Sequence, residues 1–213
     1  LSEEFLSDGR SGGSVVQQVL DQHAGAHGLR WEAAYTGTTA VAGTSAPDGL
    51  CAATVTGCND TSAGSGDTTF AEVDINDLID VVHSIPAQYR DGRQQWIVSS
   101  GFAQAIAKLA DSTTRLFQYG QATGSSADSP FMPRLMGYPM HVSSQMPAEA
   151  ASAVTAILLH PDSYVIADRT GFTSQLDPFT KGSTGETVLR TRMRSDGRWL
   201  APWKSARLKL AAS

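Results

Sequence analysis

His23 and His27 stand four residues apart, a spacing that puts two imidazoles on one helix face, within reach of a single metal ion. A zinc hydrolase of that pattern also needs a Glu beside the first His, and Ala24 fills the place. No third ligand lies near, so the pair reads as solvated histidines on a helix. His83 falls at a helix end, where the dipole suits it. His141 and His160 lie in or beside strands and read as partly buried, hydrogen-bonded side chains. Glu3/Glu4 and Asp74/Asp77 have the look of helix-start charges, not of a general acid and base. Ser14 in GGSVV and Ser65 in AGSGD both miss the G-x-S-x-G nucleophile elbow, and neither a P-loop nor G-x-G-x-x-G occurs. Cys51 and Cys58 lie in a Gly/Thr-rich segment without a second Cys/His pair for zinc. A local disulfide and two reduced thiols both fit them; reduced thiols suit a cytosolic product. No catalytic, cofactor-binding or metal-binding residue is assigned, and no cofactor is expected.

The most distinctive charge feature is Arg190, Arg192 and Arg194, which a two-residue period aligns on one strand face. Arg198, Lys204, Arg207 and Lys209 follow closely, giving a basic hairpin in an acidic chain. Three readings fit: an ordinary solvated face, a salt-bridge surface between subunits, and a nucleic-acid contact.

The elements that would position these residues can be placed from pattern. Ser2 and the early acids open a helix-start signal, and a Gly-rich break follows at Gly9 to Gly13. Ser14 then caps a long helix to about Tyr35, weakened by Gly25 and Gly28. Residues 36–70 are rich in Gly, Thr, Ser and Ala, with a turn signal at Pro47-Asp48-Gly49. A stretch this long either holds short strands or packs on a neighbouring subunit. Asp74 caps a helix carrying Ile75, Leu78, Ile79 and Val82, and Pro86 ends it. Gln95 to Ser99 reads as a buried strand, and Ser100 starts a helix with Phe102, Ile106 and Leu109 inward. Residues 111–134 form a second polar stretch. Strand-like runs follow at 135–143, 153–159, 163–168 and 186–194. Ser195-Asp196-Gly197 reads as a hairpin turn, returning the chain through Arg198 to Leu210 as a two-stranded arm.

The chain has 213 residues, 41% of them hydrophobic, enough for one large domain or two small ones. A net charge of −5 argues against a free-standing nucleic-acid binder. The start is acidic and polar, unlike a signal peptide, and no apolar run is long enough to span a bilayer.

Taken in order, several segments resemble the major capsid proteins of tailed phages with the Hong Kong 97-type fold. LSEEFLSD before a long helix is similar to the entry into that family's spine helix. RWEAAYTGTTAVAGTSAPDGLC resembles its helix end, Gly-rich loop and Pro-x-Gly, and DINDLIDVVHSIPAQYRDGRQQWIVSSGFAQAIAKLAD its helix, Trp-bearing strand and helix. LMGYPMHVSSQMP, AILLHPDSYVIADRTGF and ETVLRTRMRSDGRWLAPWKSARLKL are similar to its later strands and terminal Arg-rich hairpin.

The resemblance implies an α+β fold of two domains. A peripheral domain, residues 1–35 and 165–200, would hold the spine helix and a long β-hairpin. An axial domain, 36–164 and 201–213, would hold a central sheet flanked by helices. It implies a structural subunit, not an enzyme, that self-assembles into pentamers and hexamers. The shell would enclose DNA that it faces without binding specifically, without a membrane, in a virion assembled in the host cytoplasm. The hairpin would meet neighbours near three-fold axes. Family members carry an N-terminal arm and an extended loop ahead of the spine helix, and this chain reads as a fragment lacking both. An encapsulin-like shell loading protein cargo, and a small α+β enzyme or binding domain, are the alternatives.

Overall fold

Sheet formation follows from three apolar runs that cannot be left in water. A computed structural model of the chain describes residues 12–38, 46–53, 55–111, 114–115, 134–177 and 179–212. The helices among them are α1 (Gly12–Thr36), α2 (Ile75–Ser84) and α3 (Ser100–Lys108). The strands are β1 (Asn59–Ser62), β2 (Gln95–Ser99), β3 (Ala110–Asp111), β4 (Thr114–Arg115), β5 (Arg134–Leu135), β6 (Tyr138–Ser143), β7 (Val154–Leu159), β8 (Tyr164–Asp177), β9 (Val188–Trp199) and β10 (Ala206–Lys209). The chain divides into two compact units, one from Leu1–Ala33 and Ile166–Asp196, the other from Ala34–Val165 and Gly197–Ser213.

The larger unit holds a six-stranded sheet in the order β1-β10-β7-β2-β6-β5. Strand β7 is central, and five of its six residues, Val154 to Leu158, are buried. A continuous apolar run is what a strand covered on both faces requires. The register then sorts neighbouring side chains by the two-residue period: Trp96 pairs with Leu158, Ile97 with Ile157, and Val98 with Ala156. Trp96, Val98, Leu158 and Leu208 face a core completed by Leu78, Val81, Phe102 and Ile106 from α2 and α3. Ile157 and Val154 meet a second cluster with Leu50, Cys51 and Met146.

Local signals fix the helix starts. Asp74 accepts from the N–H of Asp77 at 3.0 Å, and Asp77 accepts from the N–H of Asp74 at 2.9 Å, a capping box. Ser99 caps α3 by accepting from the N–H of Phe102 at 3.2 Å. The acidic pair Asp74/Asp77 is therefore a helix-start device, as its spacing indicates. In the stretch 36–70 the structure places β1, parallel to β10. Residues 1–11, and most of the polar stretch 111–134, lie outside the described residues.

The smaller unit contains most of α1 and the greater part of β8 and β9, which form their own two-stranded sheet. Ser14 lies inside α1, whose described part begins at Gly12, so it is not the residue before the helix. Between Val16 and Tyr35 no side chain of α1 is buried, and Leu29 is 55% exposed. Val15, Val16, Val19 and Leu20 have the spacing of one apolar stripe; the side chain of Val15 lies outside the described residues, and the other three are half-buried.

The hairpin turn expected at Ser195-Asp196-Gly197 is not there: β9 runs straight through it to Trp199, and β8 pairs with β9 instead. Gly197 serves close approach, not a turn. It has no positive φ, and a Cβ on it would lie 2.2 Å from the Tyr164 hydroxyl oxygen and 2.9 Å from the Tyr35 ring. Tyr164 in turn donates to the carbonyl of Asp48 at 2.6 Å, and the Asp48 N–H donates to the carbonyl of Gly197 at 2.8 Å. Tyr164 also meets Tyr35 and Trp199 edge-to-face, with ring centres 6.3 and 5.6 Å away. Gly197→Ala is expected to lower stability by about 2 kcal/mol in urea unfolding, because the neighbours are two rings that cannot both retreat. Gly171→Ala in β8, where a Cβ would meet nothing within 4 Å, is expected to change it by less than about 0.5 kcal/mol.

Candidate assembly surface

The arginine row sits on β9 as the two-residue period requires. Arg190, Arg192 and Arg194 are exposed, while Thr191 and Met193 between them are half-buried. The face on which Thr191 lies is turned toward α1. His27 is 3.0 Å from the Thr191 hydroxyl and stacks edge-to-face on Phe172 of β8 at 5.6 Å. His27 is thus a packing residue holding helix to hairpin, whereas His23 is exposed and solvated. The arginines consequently project from the opposite, uncovered face. Arg190 pairs with Asp177 at 3.1 Å, and among the described residues Arg192 and Arg194 have no ion-pair partner.

Lys204, Arg207 and Lys209 do not belong to this basic surface. Lys204 is in a 3-10 turn, and Arg207 and Lys209 are on β10 in the sheet of the other unit. Arg207 is fully buried, because the alternation that sends Ala206 and Leu208 into the helix-side core sends it to the other face. There its guanidinium donates to both carboxylate oxygens of Asp60 at 2.7 and 2.8 Å and to the carbonyls of Ala52 and Leu50 at 2.7 and 3.3 Å. Lys209 joins Asp60 at 2.5 Å. Burial alone would raise the Asp60 carboxyl, but its hydrogen bonds to Arg207 and Lys209 outweigh that and hold it below its usual value.

One His–Asp–Ser grouping needs a chemical reading. The ring of buried His160 accepts the Asp162 N–H at Nδ1 (3.1 Å), which leaves Nε2, 3.2 Å from Asp91, as the donor. Ser205 accepts the backbone N–H of His160 at 3.0 Å and donates to Ser163 at 2.7 Å. Both ring nitrogens are occupied and no hydroxyl faces either, so no serine is activated here; the grouping ties β7 to the turn before β10. Arg93 bridges Asp91 and Asp162 at 2.8 and 2.7 Å, and its hydrogen bond to Asp91 is the main reason that carboxyl is held far below its usual range.

The remaining histidines are peripheral. His83, in the last turn of α2, lies 3.1 Å from Arg90, and His141 is half-buried on β6. Among the described residues no group of three or more His, Cys, Asp or Glu could hold a metal ion, and no helix is long and apolar enough to cross a membrane. An open cleft of about 530 Å³ in the larger unit is lined by Phe70, Val73, Leu109, Lys108 and Glu149, with no histidine, cysteine or carboxylate pair.

Among the described residues the feature that stands out is an exposed charged surface, and comparison with known proteins gives it a context. The model of the phage capsid family matches residues 31–205. The chain belongs to that family. It is a structural capsid subunit, and its mixed helix-and-sheet architecture is the Hong Kong 97-type fold that its sequence resembles. A capsid chain of an empty GTA particle, computed with C5 symmetry, superposes with a TM-score of 0.75 at 24% identity, over 99% of this chain and 70% of that one. Chains from Mycobacterium phage Bobi (TM-score 0.64, 15% identity, 100% and 70% covered) and Gordonia phage Cozz (0.57, 17%, 100% and 68%) are similar too. None of the curated proteins matches this sequence.

Sequence reasoning missed the true hairpin end, residues 177–188, and with it Phe179, which is 90% exposed. The signal was present: one aromatic in the polar run DPFTKGSTGET, whose Gly185 adopts φ +64°.

Both cysteines of this capsid protein are free. Cys51 lies 3.6 Å from the Met146 sulfur, and Cys58 donates to the carbonyl of Ser205 at 3.5 Å. Burial pushes the thiols up to about 12 and about 11, against the opposing field of Arg207. In the folded chain near pH 8, both should therefore react with an aromatic disulfide at least about a hundredfold more slowly than free cysteine, and both at once in denaturant. The intact mass should be that of two thiols.

Proposed function

We propose that this subunit self-assembles into pentamers and hexamers of an icosahedral shell that encloses DNA, acting without catalysis, in particles put together in the host cytoplasm. Residues 1–35 and 165–200 would form the peripheral domain, and 36–164 with 201–213 the axial domain around five-fold and six-fold axes. The observation that carries this reading is the contrast in burial between elements. The six-stranded sheet buries its own apolar residues, whereas between Val16 and Tyr35 the long helix has no buried side chain, and a hairpin presents unpaired guanidiniums. Isolated monomers have little use for a long helix whose described side chains are mostly exposed; repeated copies can cover it.

The arginine face supplies specificity. A guanidinium matches a carboxylate in a fixed bidentate geometry, so Arg192 and Arg194 can pair with acidic groups of the next subunit, which a chain of net charge −5 has in excess. The same excess of acid disfavours tight binding of the enclosed DNA.

Light scattering and negative-stain microscopy of the purified chain should show rings or closed shells, and a stable monomer at all concentrations would contradict the reading. Arg192→Glu with Arg194→Glu should raise the concentration needed for assembly about tenfold or more in DNA-free buffer, with an unchanged unfolding midpoint, because both side chains are exposed. Unchanged assembly combined with lost DNA retention would assign the row to nucleic acid instead.

A further inference from the structure

Phe179 is the most exposed of the large hydrophobic residues described, at 90%. An aromatic left in water at a loop tip is ordinarily found where the loop is loose, yet this tip is braced. Asp177 accepts from the N–H groups of Phe179 and Thr180 at 2.9 and 3.2 Å and from the Thr180 hydroxyl at 2.5 Å. Arg190 on the returning strand binds both Asp177, at 3.1 Å, and Thr180, at 2.9 Å. Lys181 pairs with Glu186 at 3.0 Å, and the N–H of Glu186 donates back to the carbonyl of Lys181 at 3.4 Å. The ring is therefore presented by a fixed backbone, so little further ordering is needed when it is buried against something.

The charges say what that something is. Around Phe179 they come as two opposite-sign pairs, Asp177 with Arg190 and Lys181 with Glu186, so the tip is neutral overall. Arg192 and Arg194 lie further along β9, so the tip itself carries no net charge to draw a polyanion or an anionic membrane. It is self-complementary, because two copies brought together can exchange lysine and glutamate partners around a shared apolar centre. We propose that Phe179 is the apolar anchor of a contact between hairpin tips of neighbouring copies of this chain. The proposal rests on the reading that hairpins of adjacent subunits meet, and it assigns the energy of that meeting to burial of the ring, with the ion pairs fixing the approach.

Two measurements on the full chain test it. Phe179→Ser should raise the concentration at which oligomers form by about tenfold or more in sedimentation velocity, and Phe179→Leu, which keeps an apolar side chain, by less than about threefold. Neither should move the unfolding midpoint, since the ring is exposed in the single chain. A photoreactive benzophenone amino acid at position 179, incorporated with wild-type chain in excess, should cross-link to the peptide spanning 177–190 of another copy. Wild-type assembly by Phe179→Ser, a shifted midpoint, or cross-links only to other peptides would each overturn the anchor. If Arg192→Glu with Arg194→Glu still blocks assembly in that case, the hairpin contact stands and only its anchor is wrong. A wild-type chain that never associates would sink both.

Discussion

One fully buried guanidinium ties three parts of the larger unit together. Arg207 stands directly opposite Asp60 in the parallel pair of β10 and β1, with no solvent exposure, and its donors are taken by that carboxylate and by two carbonyls of the 50–52 turn. A guanidinium taken out of water is tolerable only when its donors are satisfied in this way. The arrangement also fixes register. A slip of one residue would turn Arg207 into the core of Trp96, Phe102 and Leu208, where no partner waits, and would turn Leu208 out of it. One side chain thus holds the edge strand, the sheet and the preceding turn in a single alignment.

With that alignment fixed, the same two-residue alternation has opposite consequences in the two units. In the six-stranded sheet it sends apolar side chains to two internal clusters. In β9 it leaves Thr191 and Met193 half-buried and three arginines exposed. The first unit is stabilised from within. The second, with its exposed helix, its unpaired guanidiniums and its braced Phe179, has its interacting groups on the outside, which is the division of labour expected of a subunit whose surroundings are other subunits.

The sequence made legible what depends on local chemistry. Asp74 and the Pro86 stop bound α2, the QWIVS run is β2, and the period of Arg190, Arg192 and Arg194 survives intact. It misled where one residue type serves two physical purposes. The glycine of Ser195-Asp196-Gly197 carries the signature of a tight turn, but here it makes room for two tyrosine rings brought from residues 35 and 164, a constraint that only the folded chain contains. Arg207 is near the basic hairpin in sequence but lies in the sheet of the other unit. Its burial depends on Asp60, 147 positions away, and no periodicity reports that. His27, read as solvated, packs on β8 and β9 for the same reason.

Under the proposed function, the helix and hairpin left uncovered in the single chain would be covered by other copies of it. Amide hydrogen exchange compared between dissociated chain and assembled particles tests this most directly. Residues 16–30 and 177–194 should gain protection on assembly, while β2, β7 and β10 should exchange equally slowly in both states. Particles in which those two segments exchange as freely as in the single chain would contradict it.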